Sequence, residues 1–234
     1  METNIKDSTV FLEFYGLPGS GKSTISHIVA EELRKMGKNV EEPTYDIDHK
    51  YSGNIRKVIK LLKLVRSALL NPKEYKALCV LIKANGYTGI EVLSQAANIV
   101  PKLWEYDHTR SDYEIFDEGL TQSAISLVNN ERNSSENEVS LYSLCKKRVV
   151  RKFYIKVSPE TALLRMAGRD MHDSRIEKMT DDIKRNNALQ GIEIQCESIL
   201  DGYAVEEDSI QSAVDCIVGQ LAKWRENEQV LSSS

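Results

Sequence analysis

The chain has 234 residues and a formal net charge of −4, and its charged residues, at 28%, interrupt every apolar stretch before it reaches the length of a membrane span. A net negative chain repels polyanions, which argues against long nucleic acid as the main partner and favours small molecules. The polar start Met1-Glu2-Thr3-Asn4 lacks the apolar centre of a secretory signal, and Cys79, Cys145, Cys196 and Cys216 form no C-x-x-C pair, so free thiols, no membrane partner and a cytoplasmic location are expected.

The first predicted strand, over 9–15, is the apolar and aromatic run Val10-Phe11-Leu12-Glu13-Phe14-Tyr15. It leads directly into Gly16-Leu17-Pro18-Gly19-Ser20-Gly21-Lys22-Ser23-Thr24, which fits the pattern G-x-x-x-x-G-K-[ST]. Glycines at these places let successive backbone N–H groups turn inward around a triphosphate, while a lysine reaches the β- and γ-phosphates and a hydroxyl ligates Mg2+. A helix starting near Lys22 aims its positive end at the same anion. Gly16, Pro18, Gly19, Ser20, Gly21, Lys22, Ser23 and Thr24 are therefore expected to hold a nucleoside triphosphate, with Ser23 on the metal. Ile25, Ile28, Val29, Leu33 and Met36 recur at helical spacing, Gly37 supplies a left-handed terminator, and a second strand is expected over 38–42.

From 53 to 110 the pattern is helical, with Ile55, Val58, Ile59, Leu62 and Val65 in one stripe and Asn71-Pro72 and Gly86 as breaks. This insertion is expected to build the acceptor side. Its basic residues Arg56, Lys57, Lys60, Lys63 and Arg66 read as a solvated helix face and receive no catalytic role. The third predicted strand, 113–117, delivers Asp117-Glu118-Gly119 to the carboxyl edge of a parallel sheet, where ligands bind. Asp117 is placed to hold Mg2+, directly or through water, the competing reading being a cap for the next helix; Glu118 is placed to orient an acceptor or a water. Residues 129–137 read as an exposed loop and Ser232–Ser234 as a frayed end. After a fourth strand at 150–157, Ser158 and Pro159 open a helix carrying Arg165 and Arg169 on one face, with Arg175 beyond a short polar stretch. These three arginines can fold over a triphosphate as a lid spanning 165–178, since charge on a transferring phosphoryl group is spread over its equatorial oxygens. A weaker fifth strand is expected at 202–206. Short strands alternating with helices predict parallel βαβ units in one domain over 1–234.

Together these features resemble the P-loop nucleoside and nucleotide kinases, particularly the thymidylate kinase-like group, over most of 9–206. The more specific parts of the resemblance are Glu42-Pro43, Asp117-Glu118-Gly119 followed by Ser123-Ala124, and Arg169 through Glu177. The resemblance implies a three-layer α/β/α fold with a five-stranded parallel sheet of order 2-3-1-4-5, an arginine-containing lid, ATP as donor, Mg2+, and often a homodimer. Thymidylate kinases carry an Arg before the Glu-Pro pair and another after the third-strand Asp, whereas here Glu41 and Glu118 occupy those places. A carboxylate there repels an acceptor phosphate by about 1 to 4 kcal/mol per close pair. The Glu-Pro pair also resembles deoxynucleoside kinases, whose Glu accepts the proton of the attacking hydroxyl, which makes Glu42 the candidate base. The expected function is Mg2+-dependent transfer of the ATP γ-phosphoryl group to a hydroxyl of a small molecule, a nucleoside being one candidate. Its catalytic set is Lys22, Glu42, Asp117, Arg165, Arg169 and Arg175. The alternatives are a nucleoside monophosphate kinase whose clamp comes from Arg56, Lys57 or Arg110, and a non-catalytic or slowly hydrolysing nucleotide switch.

Overall fold

The computed structural model describes residues 9–50, 53–128, 134–145, 149–168, 176, 179, 181–206 and 208–233. In chain order the elements are β1 (Val10–Tyr15), α1 (Lys22–Lys35), β2 (Val40–Glu41), α2 (Pro43–Lys50), α3 (Gly53–Leu70), α4 (Pro72–Ala84), α5 (Gly89–His108), β3 (Tyr113–Phe116), α6 (Leu120–Leu127), α7 (Ser134–Tyr142), β4 (Val149–Ile155), α8 (Pro159–Ala167), α9 (Asp182–Glu197), β5 (Gly202–Val205) and α10 (Ile210–Ser233). All strand pairs are parallel, and the order is β2-β3-β1-β4-β5, as the family resemblance implies.

Alternation along the central strand divides the core in two. Leu12 and Phe14 point to one face, where Ile25 and Val29 of α1 and Val214 and Ile217 of α10 cover them. Phe11 points to the other and stacks on Tyr106 of α5 with ring centroids 4.4 Å apart, in a cluster that takes in α4, α6 and α7. Glu13 shares this second face and is fully buried. Gly37 adopts φ 76° just past α1, the left-handed conformation expected of a helix terminator. Among the described residues no helix is long and apolar enough to cross a membrane. All four cysteines are free; Cys196 is buried, which pushes its thiol up to about 12.

Four expectations need correction. The apolar stripe of α3 faces outward: Ile55, Val58, Leu62 and Val65 are all about half exposed or more, at 50%, 56%, 64% and 49%, and Leu64 is the buried position. Of the basic face, expected to be solvated, Lys60, Lys63 and Arg66 reach instead toward α5. Lys63 pairs with Glu105 at 2.6 Å, and the Arg66 guanidinium lies 4.4 Å from the Trp104 ring centre. The 129–137 loop is cut short by α7, because Asn137 exchanges two 2.9 Å hydrogen bonds with Asn85 and the buried Ser134 hydroxyl donates to the Gln195 carbonyl. These partners lie far away in sequence and leave no local signal; residues 129–133 fall outside the described residues. The expected frayed end is helical through Ser233.

On β3, Glu114 sits on the same face as Phe116 and is fully buried, and neither carboxylate oxygen finds a well-formed hydrogen bond among the described residues. Burial pushes its carboxyl from the ordinary 4.5 up to about 8, with Glu105 and Glu41 adding repulsion and Thr109 and Lys63 opposing it. The folded protein therefore holds a proton that the unfolded chain releases, and this contribution, complete below pH 4.5, is lost as pH rises toward 8. Urea unfolding across that window should show stability falling by at most about 1.4 kcal/mol per pH unit from this group. Glu114→Gln should flatten the slope and be the more stable protein at pH 8; an unchanged slope would refute the assignment.

Candidate active site

The loop between β1 and α1 is shaped by glycines that no other residue could replace. Gly16 has φ 148° and Gly19 φ 84°, and a Cβ at either would come within 2.6 Å of a backbone carbonyl, Ile155 O for the first and Ala162 O for the second. The loop is thereby packed against the end of β4 and against α8. Lys22 is buried and folds back over it, its ammonium donating to Gly16 O at 3.2 Å and Leu17 O at 3.0 Å. The Ser20 hydroxyl, also buried, has no hydrogen-bond partner among the described residues. Closely wrapped backbone, an unsatisfied hydroxyl and a lysine resting on loop carbonyls make a cradle fitted to an oxyanion.

Asp117 emerges from β3 opposite this loop and is nearly buried. Its Oδ2 accepts from the Ser23 hydroxyl and its Oδ1 from the Thr44 hydroxyl, each at 2.6 Å. Asp117 does not cap α6. That task falls to Glu13, whose two oxygens accept from the backbone N–H groups of Leu120 at 2.9 Å and Thr121 at 2.8 Å, and which also receives the Tyr106 hydroxyl. One carboxylate and two hydroxyls converge, a hard oxygen set of the sparse kind that suits Mg2+ when substrate phosphates complete the shell.

Glu42 is buried but engaged elsewhere. Arg34 of α1 pairs with its Oε2 at 2.7 Å and His27 Nδ1 lies 3.0 Å from its Oε1, with His27 stacked on Tyr45. Arg165 reaches back from α8 and donates to Ser20 O at 3.0 Å, bringing one of the three expected arginines to the loop. Arg169 and Arg175, like most of the 165–178 lid, lie outside the described residues.

Beside Asp117 opens a cavity of about 240 Å3. Its walls are a stripe of α5 (Gln95, Asn98, Lys102) and a stripe of α6 (Gln122, Ser123, Ser126), with Thr44, Lys60, Asp117 and Glu118 completing it. Glu42 is not among its lining residues. Lys102 donates to Ser123 Oγ at 2.8 Å and Gly119 O at 3.3 Å; burial holds its ammonium below the usual lysine range, while Glu118, Glu13 and Asp117 pull the other way. Gln122 accepts the Gly16 N–H at 3.0 Å and so ties the cavity wall to the phosphate loop. Lys102, Gln122 and Thr44 are the site residues that sequence reasoning passed over. The first two stand on helical stripes whose polarity was the available signal, and Thr44 follows the Glu-Pro pair.

No protein-family model matches this chain, and no curated protein matches it. Among solved structures it is similar to shikimate kinase from Acinetobacter baumannii in complex with shikimate, with a TM-score of 0.51 at 14% identity over 94% of this chain and 95% of that one. It is also similar to a deoxyadenosine kinase from M. mycoides solved with dCMP and dCDP, with a TM-score of 0.49 at 16% identity over 91% of this chain and 98% of that one. At 14% identity the likeness to the shikimate kinase structure speaks for the fold alone, and no thymidylate kinase-like subgroup is singled out.

Gly19→Ala should both strain the loop and push it off α8. We expect it to cost about 1 to 3 kcal/mol of stability. Affinity for a non-hydrolysable ATP analogue should fall about tenfold or more, a change of about 1.4 kcal/mol. Thermal melting and calorimetric titration check the two effects; normal affinity would show that the loop tolerates a different path.

Proposed function

We propose that the protein is an ATP- and Mg2+-dependent kinase that moves the γ-phosphoryl group to a hydroxyl of a small molecule held in the cavity between α5 and α6. The observation that carries this reading is the juxtaposition of the glycine-wrapped loop with Asp117, through Ser23 at 2.6 Å, at the mouth of a small polar cavity. In this reading Lys22 leaves the loop carbonyls for the donor's β- and γ-phosphates, and the loop amides and Ser20 hydroxyl bind the remaining oxygens. Gly16, Pro18, Gly19, Ser20, Gly21, Ser23 and Thr24 form the rest of the donor site. Arg165, together with Arg169 and Arg175, neutralises charge on the group in transfer. Ser23 and Asp117 would hold Mg2+, with Thr44 fixing the free carboxylate oxygen; the ion, when bound, supplies charge neutralisation on the phosphates. Positioning two reactants side by side is the main contribution of such a site, since little covalent chemistry falls to the protein.

For the acceptor's proton we favour Glu118, the carboxylate that lines the cavity with an exposed side chain. Glu42 is the second reading: it stands at the end of β2, and to act it must leave Arg34. Its present contacts instead pin the start of α2 and so hold Thr44 against Asp117. Lys22→Ala should lower turnover on the order of 100- to 1,000-fold, the effect of removing one preorganised donor. Glu118→Gln should lower kcat by about two orders of magnitude. Glu42→Gln should lower the melting temperature while keeping most turnover, because it breaks the ion pair of a buried carboxylate. Steady-state kinetics with the melting curves separate the two carboxylates. Loss of turnover in Glu42→Gln with full activity in Glu118→Gln returns the base role to Glu42, and full activity in Lys22→Ala refutes the site.

The homodimer expected from the family resemblance finds support in the exposed apolar face of α3, with Ile55, Val58, Leu62, Val65 and Leu69 in register. A second copy covering that face would bury it. Leu62→Glu should then shift the protein from dimer to monomer in sedimentation velocity, and a monomeric native protein would dismiss the pairing.

A further inference from the structure

Two lysines reach the acceptor cavity, Lys102 from α5 and Lys60 from α3, and neither was assigned a role by motif. The side chains of Lys102, Asn98 and Gln95 follow one another at steps of four and three on α5, so they form a single comb along the cavity wall. Lys60 donates to Asn98 Oδ1 at 3.4 Å and extends that comb. An ammonium has three protons, and Ser123 Oγ and Gly119 O accept two from Lys102. Asp117 and Glu118 occupy the β3 side of the same cavity, so its charge is divided, carboxylates at the metal end and lysines along α5. Of the lining residues, Ile99 and Pro101 are the apolar ones; the rest offer amides, hydroxyls and charges. A volume of about 240 Å3 falls below the roughly 300 to 1,000 Å3 of sites for drug-sized ligands.

We propose that the acceptor is a small polyhydroxylated anion whose oxyanion, a carboxylate or a phosphate ester, is held by Lys102 and Lys60 while a hydroxyl points to the Asp117 end. The inference rests on the phosphoryl-transfer reading above and names its substrate class. Burial of Lys102 strengthens any pairing with an oxyanion, because the competing hydration is reduced. In the transfer, the acceptor hydroxyl oxygen bonds to the γ-phosphorus as the bond to the bridging oxygen of ADP breaks. The hydroxyl proton passes to a carboxylate, and ADP departs with the bond's electron pair.

The test is ADP release by the full chain with ATP and Mg2+, accompanied by calorimetry. The acceptor panel is D-glycerate and D-gluconate as hydroxy acids, glycerol 3-phosphate and ribose 5-phosphate as phosphate esters, and thymidine and deoxyadenosine as neutral nucleosides. At least one anion should give a kcat/KM tenfold or more above either nucleoside, and whether acids or esters respond identifies the oxyanion. Lys102→Gln should raise KM for that anion at least tenfold with a smaller change in kcat, Lys102→Arg should recover part of the loss, and Lys60→Gln should raise KM a few-fold. Where Lys102→Gln lowers the melting temperature, Lys60→Gln carries the test at a less buried position. Preference for the neutral nucleosides, silence from all four anions in turnover and in heat, or unchanged KM in both glutamine variants would each overturn the proposal. ATP binding, titrated separately with Lys22→Ala as blank, tells the two levels apart: loss of an acceptor preference with ATP still bound overturns the acceptor class alone, whereas no ATP binding overturns the kinase reading and the proposal with it.

Discussion

A single buried carboxylate organises the site. Glu13 stands in the middle of the central strand, where an uncompensated charge would cost several kcal/mol, and its two oxygens receive the first backbone donors of α6 and the Tyr106 hydroxyl. The turn from β3 to α6 is tight because of it: a Cβ on Gly119 would collide with the Glu13 carboxylate. That turn carries Asp117 and Glu118, and the buried first turn of α6 carries Gln122 and Ser123. By capping α6 from a neighbouring strand, Glu13 leaves Asp117 free to face Ser23 and Thr44. Had Asp117 been the cap, its oxygens would have been turned toward α6 and away from the phosphate loop.

Legibility from sequence followed the range of the interactions. β1, the loop and α1 were readable because their determinants are contiguous: an apolar run, glycines at fixed offsets, then helical spacing to Gly37. Sheet order and the placement of Asp117 at a strand end followed from the resemblance and from the general rule for parallel sheets. Glu13 was not readable as a cap, since its partners lie 107 and 108 residues away. The buried pair Asn85 and Asn137, 52 residues apart, hid α7 in the same way.

The misreading of α3 has one cause, the assumption that a residue's hydropathy fixes the direction it faces. In α3 the side chains of Lys60, Lys63 and Arg66 lie along α5, the Trp104 ring supplying contact, and the apolar stripe is left outside. The period of 3.6 was right and the phase was inverted. For Glu42, the resemblance of the Glu-Pro pair suggested a reacting group, and the contacts that occupy it here, Arg34 and His27 of α1, lie on the preceding helix. An arginine beside a buried carboxylate offers fixed charge complementarity, which makes the carboxylate a brace for the β2–α2 turn.

The phosphate loop and the acceptor cavity are joined by adjacent residues of one helix. Gln122 accepts from Gly16 at the start of the loop, and Ser123 accepts from Lys102 in the cavity. Both side chains belong to the first turn and a half of α6, the part that Glu13 anchors. A displacement of that turn would disturb donor and acceptor positions together, and effective molarity depends on holding the two in register. Lys102 shows what the arrangement costs: burial disfavours its charge, and Glu118, Glu13 and Asp117 all favour it. Its hydrogen bonds to Ser123 Oγ and Gly119 O hold the lysine head in the cavity wall before any ligand arrives, so little reorganisation is needed when an anion enters. The same Glu13 that sets the geometry of α6 thus also adds to the field that favours charge on its neighbouring lysine, against the burial that disfavours it.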